Sequence, residues 1–256
     1  MILLNKTIYS LRRSTITYLI LIGVIFVAAI VQELSGFGFG TLAMAILPIF
    51  LAYKTCNMLV LSASLLIEIY TIIKLFKYIQ WKLVIIPTFV SVIISILGTH
   101  LMLGLSTKTL SIIMACFLWI MAGYLSLIAP KLKVSANLFT GLIAGGLGGF
   151  MQSMFAAGGP PIVAYYNSII DNPLTYQATV QTYFITTTLT ILITDFSKGY
   201  LTGNLVLPGI ICMISCLLGT IVGMRLLHKI SMKTVRKAAY IVMLLAGCYM
   251  LYKGIF

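Results

Sequence analysis

Two glycine-rich stretches break the apolar run of this chain, Gly36-Phe37-Gly38-Phe39-Gly40 and Ala156-Ala157-Gly158-Gly159-Pro160-Pro161. After each, a short apolar segment begins whose first turn offers backbone N–H groups without intrahelical partners and the positive end of a helix dipole. Such an end attracts an anion, and glycine lets the backbone itself approach one. Pro160 and Pro161 suit the start of a helix, where a missing N–H costs little. Backbone at Gly38, Gly40, Thr41, Gly158, Gly159 and Pro160 is therefore expected to wall a substrate site. Amide side chains stand close by. Gln32 precedes the first break and Gln152 the second, and Gln177 and Gln181 follow, with Thr188 further along their helical stripe. The rival reading is that the glycines only let helices cross closely, as small residues do in membranes.

The chain holds four acids, Glu33, Glu68, Asp171 and Asp195. Glu33 and Glu68 fall inside apolar segments, where an ionisable side chain is costly and usually functional, so either is the expected carrier if transport is coupled to protons. The plainer alternatives are an interfacial position for Glu33 and a cationic partner such as Lys74 for Glu68. Asp171 and Asp195 lie at loop edges and are expected to be solvated. Threonines in the second half, Thr179, Thr182, Thr186 and Thr187 among them, are expected to bond back to their own helix.

The elements that position these residues follow from composition. With 61% hydrophobic residues, 8% charged ones and apolar stretches of spanning length throughout, the chain reads as an all-α integral membrane protein. It has room for roughly eight to ten segments and no separate soluble domain, so residues 1–256 form a single transmembrane domain. Residues 1–16 read as a short basic tail with Lys6, Arg12 and Arg13, and the first membrane segment starts near Thr17. The apolar run beyond it is too long for a signal peptide. The formal charge of +13 comes from basic residues in short loops and at segment ends. That distribution fits topology signals and lipid headgroup contacts, so no nucleic-acid partner is expected. Cys56, Cys116, Cys212, Cys216 and Cys248 are scattered and read as small buried hydrophobes, although Cys212 and Cys216 share one helix face. His100 and His228 stand far from other ligand types, so no metal and no other cofactor is expected. The expected partners are a small anionic substrate and membrane lipids, and assembly into a homo-oligomer stays open.

Landmarks repeat in order at an offset of about 120 residues, which marks an internal duplication. Gly23-Val24-Ile25 matches Gly141-Leu142-Ile143. Pro87 with Leu97-Gly98-Thr99 matches Pro208 with Leu218-Gly219-Thr220. Ser106-Thr107-Lys108-Thr109 matches Ser231-Met232-Lys233-Thr234. Repeat 1 covers about 17–129 and repeat 2 about 136–254. Hydropathy gives five segments in each: 17–35, 38–52, 56–76, 83–104 and 109–129, then 136–153, 158–170, 175–195, 204–226 and 234–254. The second member of each set is short, so it either spans or forms half of a hairpin that re-enters the membrane.

Loop charges relate the halves. Lys74, Lys77 and Lys82 crowd one connection whose counterpart has only Lys198. The next connection reverses this, with Lys108 against Arg225, Lys229, Lys233, Arg236 and Lys237. Because cytoplasmic loops collect Lys and Arg, equivalent loops face opposite sides, as inverted-topology repeats require. Residues 74–82, 130–135 and 225–237 are then cytoplasmic. The basic tail conflicts with this, since five crossings per half put it outside.

The stretch from Ser35 through Gly38, Gly40 and Thr41 to Pro48, and the stretch from Gly145 through Gln152 to Gly158-Gly159-Pro160-Pro161, resemble the two signature segments of the TauE/SafE family of sulfite exporters and sulfonate permeases. The resemblance runs from about Ile22 to Leu251. It implies a multi-pass transporter of small sulfur-containing or organic anions such as sulfite, sulfoacetate or other sulfonates. It also implies a pocket narrowed at Phe39, where many relatives carry a small residue. With no catalytic triad, phosphate-binding loop or metal cluster, the expectation is a secondary transporter of the cytoplasmic membrane, not an enzyme. A channel for anions or small neutral solutes and a non-transporting membrane scaffold with a basic cytoplasmic face are the alternatives.

Overall fold

In a chain this apolar each backbone polar group must be satisfied close by, and helices do that within a single segment. The computed structural model describes residues 2–35, 38–128, 137–200, 203–226 and 232–256, all-helical with no strand among them. In order the helices are α1 (Ile2–Ser35), α2 (Phe39–Ile46), α3 (Tyr53–Leu75), α4 (Trp81–Gly104), α5 (Thr107–Gly123), α6 (Leu138–Phe155), α7 (Gly159–Asn167), α8 (Pro173–Ser197), α9 (Val206–Leu226) and α10 (Met232–Ile255). Among the described residues seven helices are long and apolar enough to cross a membrane, so this is a multi-pass membrane protein. Gly36, Phe37, the 130–135 connection, His228, Lys229 and Ser231 lie outside the described residues.

Three segments differ from what hydropathy gives. The basic tail is helical from Ile2, so α1 is 34 residues long. Residues 2–16 contain no glycine or proline to stop a helix, and at about 1.5 Å per residue the whole spans roughly 51 Å, longer than a hydrocarbon core. The short segments are shorter still. α2 has 8 residues before a 3-10 turn at Leu47–Ile49, and α7 has 9. Each α-helix covers only about 12–14 Å, less than half of a bilayer core.

Small residues fix the main crossings. α1 runs parallel to α9, with Ser215 Oγ donating to the Ile22 carbonyl at 2.8 Å, Gly219 against Phe26 and Gly223 against Ile30 and Glu33. α4 runs parallel to α6 in the same manner, with Gly145 against Pro87, Gly149 against Ser91 and Gly98 against Ser153. A Cβ at these glycines would run into the facing helix, so here the glycines do serve close packing.

The two halves exchange roles in this packing. α1 on α9 corresponds to α6 on α4, and α3 on α9 to α8 on α4. Equivalent helices also meet directly, and they do so antiparallel. Between α3 and α8, Thr188 Oγ1 donates to Glu68 Oε1, and Lys54 at the start of α3 lies over Tyr200 just beyond the end of α8. Between α5 and α10, Lys108 Nζ donates to the Phe256 carbonyl, Trp119 Nε1 to that of Leu244, and the Tyr240 hydroxyl to that of Leu125. The exchange fails in one place. α10 packs on α2, whereas an apolar cleft lined by Met121, Tyr124, Leu147, Pro161 and Tyr165 separates α5 from α6 and α7.

Cys56, Cys212 and Cys216 are buried, as small apolar side chains are, but Cys116 and Cys248 are exposed on the outer surface. In a membrane protein that surface is itself apolar, so a cysteine there needs no burial.

Candidate functional site

The two breaks touch. Gly40, in the first turn of α2, lies so close to the Ala156 carbonyl that a Cβ there would overlap it. Left-handed backbone shapes both turns, with φ of 106° at Gly38 and 51° at Ala156. The first conformation suits only glycine, and the second is rare for a residue with a Cβ.

Both breaks are braced alike. Gln32 Oε1 accepts from the Phe39 N–H at 2.9 Å, and Gln152 Oε1 accepts from the Gly158 N–H at 2.7 Å. An amide at a helix start lacks an intrahelical acceptor, and in a buried site an unpaired donor is expensive, so a glutamine one or two turns back supplies the oxygen. The two glutamines therefore stand close to the breaks as expected, but as acceptors that hold the turns. Their bracing also removes the Phe39 and Gly158 amides from the set open to a solute. Gly40 and Thr41 remain in the first turn of α2, and Gly159 in that of α7, since Pro160 and Pro161 have no N–H and Ile162 begins the intrahelical ladder.

Between the breaks lies a cavity of about 90 Å³. It is lined by Gln32, Gly38, Phe39, Gly40 and Thr41 from the first half, by Gln152, Gly158, Gly159, Pro160 and Gln181 from the second, and by Glu68. Phe39 is part of that lining. Ser64, Phe184, Cys216 and Thr220 also line it. Leu218-Gly219-Thr220 reads in the sequence as a repeat landmark only. Its recurrence was the available signal, because Gly219 makes the crossing that leaves Thr220 facing inward.

Glu68 is only 4% exposed, and its Oε2 has no hydrogen-bond partner among the described residues. Its Oε1 accepts from Thr188 Oγ1 at 3.3 Å, and Thr188 in turn accepts from Gln152 Nε2 at 3.5 Å. A directed chain of hydrogen bonds thus joins the Gly158 amide to the carboxyl through Gln152 and Thr188. Thr182, Thr186, Thr187, Thr190 and Thr194 donate to carbonyls four residues back, as expected. Thr188 departs from that pattern because an acceptor on α3 faces it. Lys74 does not partner Glu68 but lies over the Tyr70 ring, 4.8 Å from its centroid.

Three expected residues lie elsewhere. Gln177 is exposed near the start of α8, one turn, about 6 Å, short of Gln181. Glu33 is partly buried and packs beside Gly223 on α9, outside the cavity. Asp171 is exposed as expected, but Asp195 is 0% exposed, because α8, which packs on α3 and α4, continues past it to Ser197.

The family model for the sulfite exporter TauE/SafE matches residues 21–250. No curated protein and no solved structure matches the chain. The family match spans both breaks, both bracing glutamines and Glu68, and on it this chain belongs to the TauE/SafE family of membrane transporters.

Proposed function

We propose that the protein is a secondary transporter of small sulfur-containing or organic anions such as sulfite, sulfoacetate or other sulfonates, working in the cytoplasmic membrane and coupled to protons through Glu68. One observation carries this reading: the cavity between the two breaks combines first-turn amides from two helices with a buried carboxyl that has an oxygen to spare. The amides and the two positive helix ends favour an anion. A carboxylate opposes it, since two like charges about 4 Å apart repel by roughly 4 kcal/mol at an effective dielectric near 20. That exceeds what a helix end contributes, so the anion and a proton on Glu68 enter the cavity together. The Gln152–Thr188 chain links that proton to the geometry of the second break. Antiparallel packing of equivalent helices supports an inverted-repeat transporter whose two halves meet at this cavity.

The test is thermal stabilisation of the purified protein in detergent by sulfite, sulfoacetate, thiosulfate and simple carboxylates. Stabilisation should be saturable and should strengthen toward acid pH. A flat response to every anion would remove the reading.

A further inference from the structure

Away from the cavity, toward the C-terminal end of α8, four side chains are 0% exposed, Asn57, Thr99, Ser153 and Asp195, and the registers of their helices bring them to neighbouring turns. Asn57 Nδ2 donates to the Ser153 carbonyl at 3.2 Å, and Ser153 packs against Gly98, next to Thr99. α4 and α8 run parallel, with Gln80 on Thr179 and, further along, Ser91 Oγ 2.8 Å from Thr187 Oγ1. Eight residues beyond that last pair, the same register sets Thr99 opposite Asp195. From the other side, the antiparallel register of Glu68 with Thr188 and Lys54 with Tyr200 brings Asp195 to the turn of α3 that follows Asn57.

What these groups lack is as informative as where they sit. Both carboxyl oxygens of Asp195 and the Oδ1 of Asn57 are buried with no hydrogen-bond partner among the described residues. Buried acceptors are rarely left so, and an ion or water is the usual explanation. The hydroxyls of Thr99 and Ser153 donate to the Ser95 and Phe150 carbonyls, so their oxygens keep lone pairs free to accept or to ligate. The nearest basic residue on α3, Lys54, is engaged with the Leu103 carbonyl and the Tyr200 ring. The set is therefore hard oxygens with a single negative charge. Such oxygens suit alkali and alkaline-earth ions. One carboxylate balances a monovalent ion, whereas a divalent one would leave net charge buried.

We propose that Asp195, Asn57 Oδ1 and the hydroxyl oxygens of Thr99 and Ser153 bind a sodium-sized monovalent cation, a site separate from the anion cavity. The ion would hold the last turn of α6, where Ser153 adjoins Gln152, the residue that braces the second break. Cation and anion sites are then linked through one helix end, and by reciprocity each ligand strengthens the other.

The experiment follows the melting temperature of the purified full chain while choline chloride is replaced by sodium chloride at constant ionic strength, with no sulfur anion present. A saturable rise with sodium, larger than with potassium, is expected. Asp195→Asn should melt in choline at or above the wild-type temperature and show no sodium response. Thr99→Val should raise the sodium midpoint by about tenfold, and Glu68→Gln should leave the response intact. A wild-type protein indifferent to sodium, or a sodium response kept in Asp195→Asn, overturns the site. Loss of the response in Glu68→Gln would place the ion in the anion cavity and overturn it equally. Because no anion substrate is used, failure here leaves the anion reading untouched.

Discussion

Thr188 Oγ1 donates to Glu68 Oε1 at 3.3 Å, and these two residues stand at equivalent positions of the two repeats, 120 apart like Gln32 and Gln152. Residues that exchange under the duplication therefore touch each other at the centre of the α3–α8 interface. The two halves differ in chemistry at this pair: one supplies a carboxyl and the other the hydroxyl that donates to it. Glu68 is the one carboxyl among the described residues that line the cavity.

Replacing that group should uncouple the anion from the proton. In the wild type, anion affinity should fall by about tenfold per pH unit on the alkaline side, as one linked proton requires. Glu68→Gln should bind the anion with nearly constant affinity across the same range. Titrations of both proteins over a pH series check this, and parallel curves would contradict it.

The bracing glutamines should matter for stability as well as for binding. Gln152→Ala leaves the buried Gly158 N–H without its acceptor and should cost about 1–3 kcal/mol, with Gln32→Ala costing a similar or smaller amount at Phe39. Denaturation of the two variants side by side measures it. Because Gln152 also feeds the chain to Glu68, its variant should in addition shift the pH dependence of anion binding, which Gln32→Ala should leave in place.

Glycines within the two breaks should separate into two classes. Gly159 has open space in front of it, with Phe184 Cζ 3.9 Å from where a Cβ would lie, whereas Gly40 abuts the Ala156 backbone. Gly159→Leu should lower anion affinity by about tenfold or more while melting within a few degrees of the wild type, and Gly40→Ala should fail at the level of folding. Binding and melting measured on the same preparations distinguish this from a packing role shared by both.

Inverted topology makes a prediction about sides. With the exposed Cys116 and Cys248 replaced, a cysteine at Lys198 should react with an impermeant thiol reagent in intact cells. One at Lys77 should react only after permeabilisation. Labelling of both from the same side would contradict inversion.

Much of this was legible in the sequence because lipid leaves the backbone few options. The breaks at Gly36–Gly40 and 156–161, the Pro160-Pro161 start of α7 and nearly all segment ends follow from hydropathy and from glycine and proline alone. The cavity's glycines, Gln152 and Glu68 were legible too, since polar residues in an apolar chain have few places to go. Asp195 was not, because nearness to a loop in sequence says nothing of which way a helix end turns. Neither was Gln177 or Glu33, whose distance from the cavity depends on where along its helix each neighbour crosses. Thr188 looks in the sequence like its back-bonding neighbours, and only the facing carboxyl on α3 distinguishes it.

The central claim is that anions cross this protein by a saturable site between the breaks, in company with a proton. Counterflow in proteoliposomes tests it most directly: vesicles loaded with unlabelled sulfite, or in a second arm sulfoacetate, are diluted into a trace of the labelled anion. The account predicts transient accumulation of label that saturates with substrate and disappears in Gly159→Leu. Entry of label that never exceeds equilibrium and rises linearly with concentration would show a channel instead and contradict it.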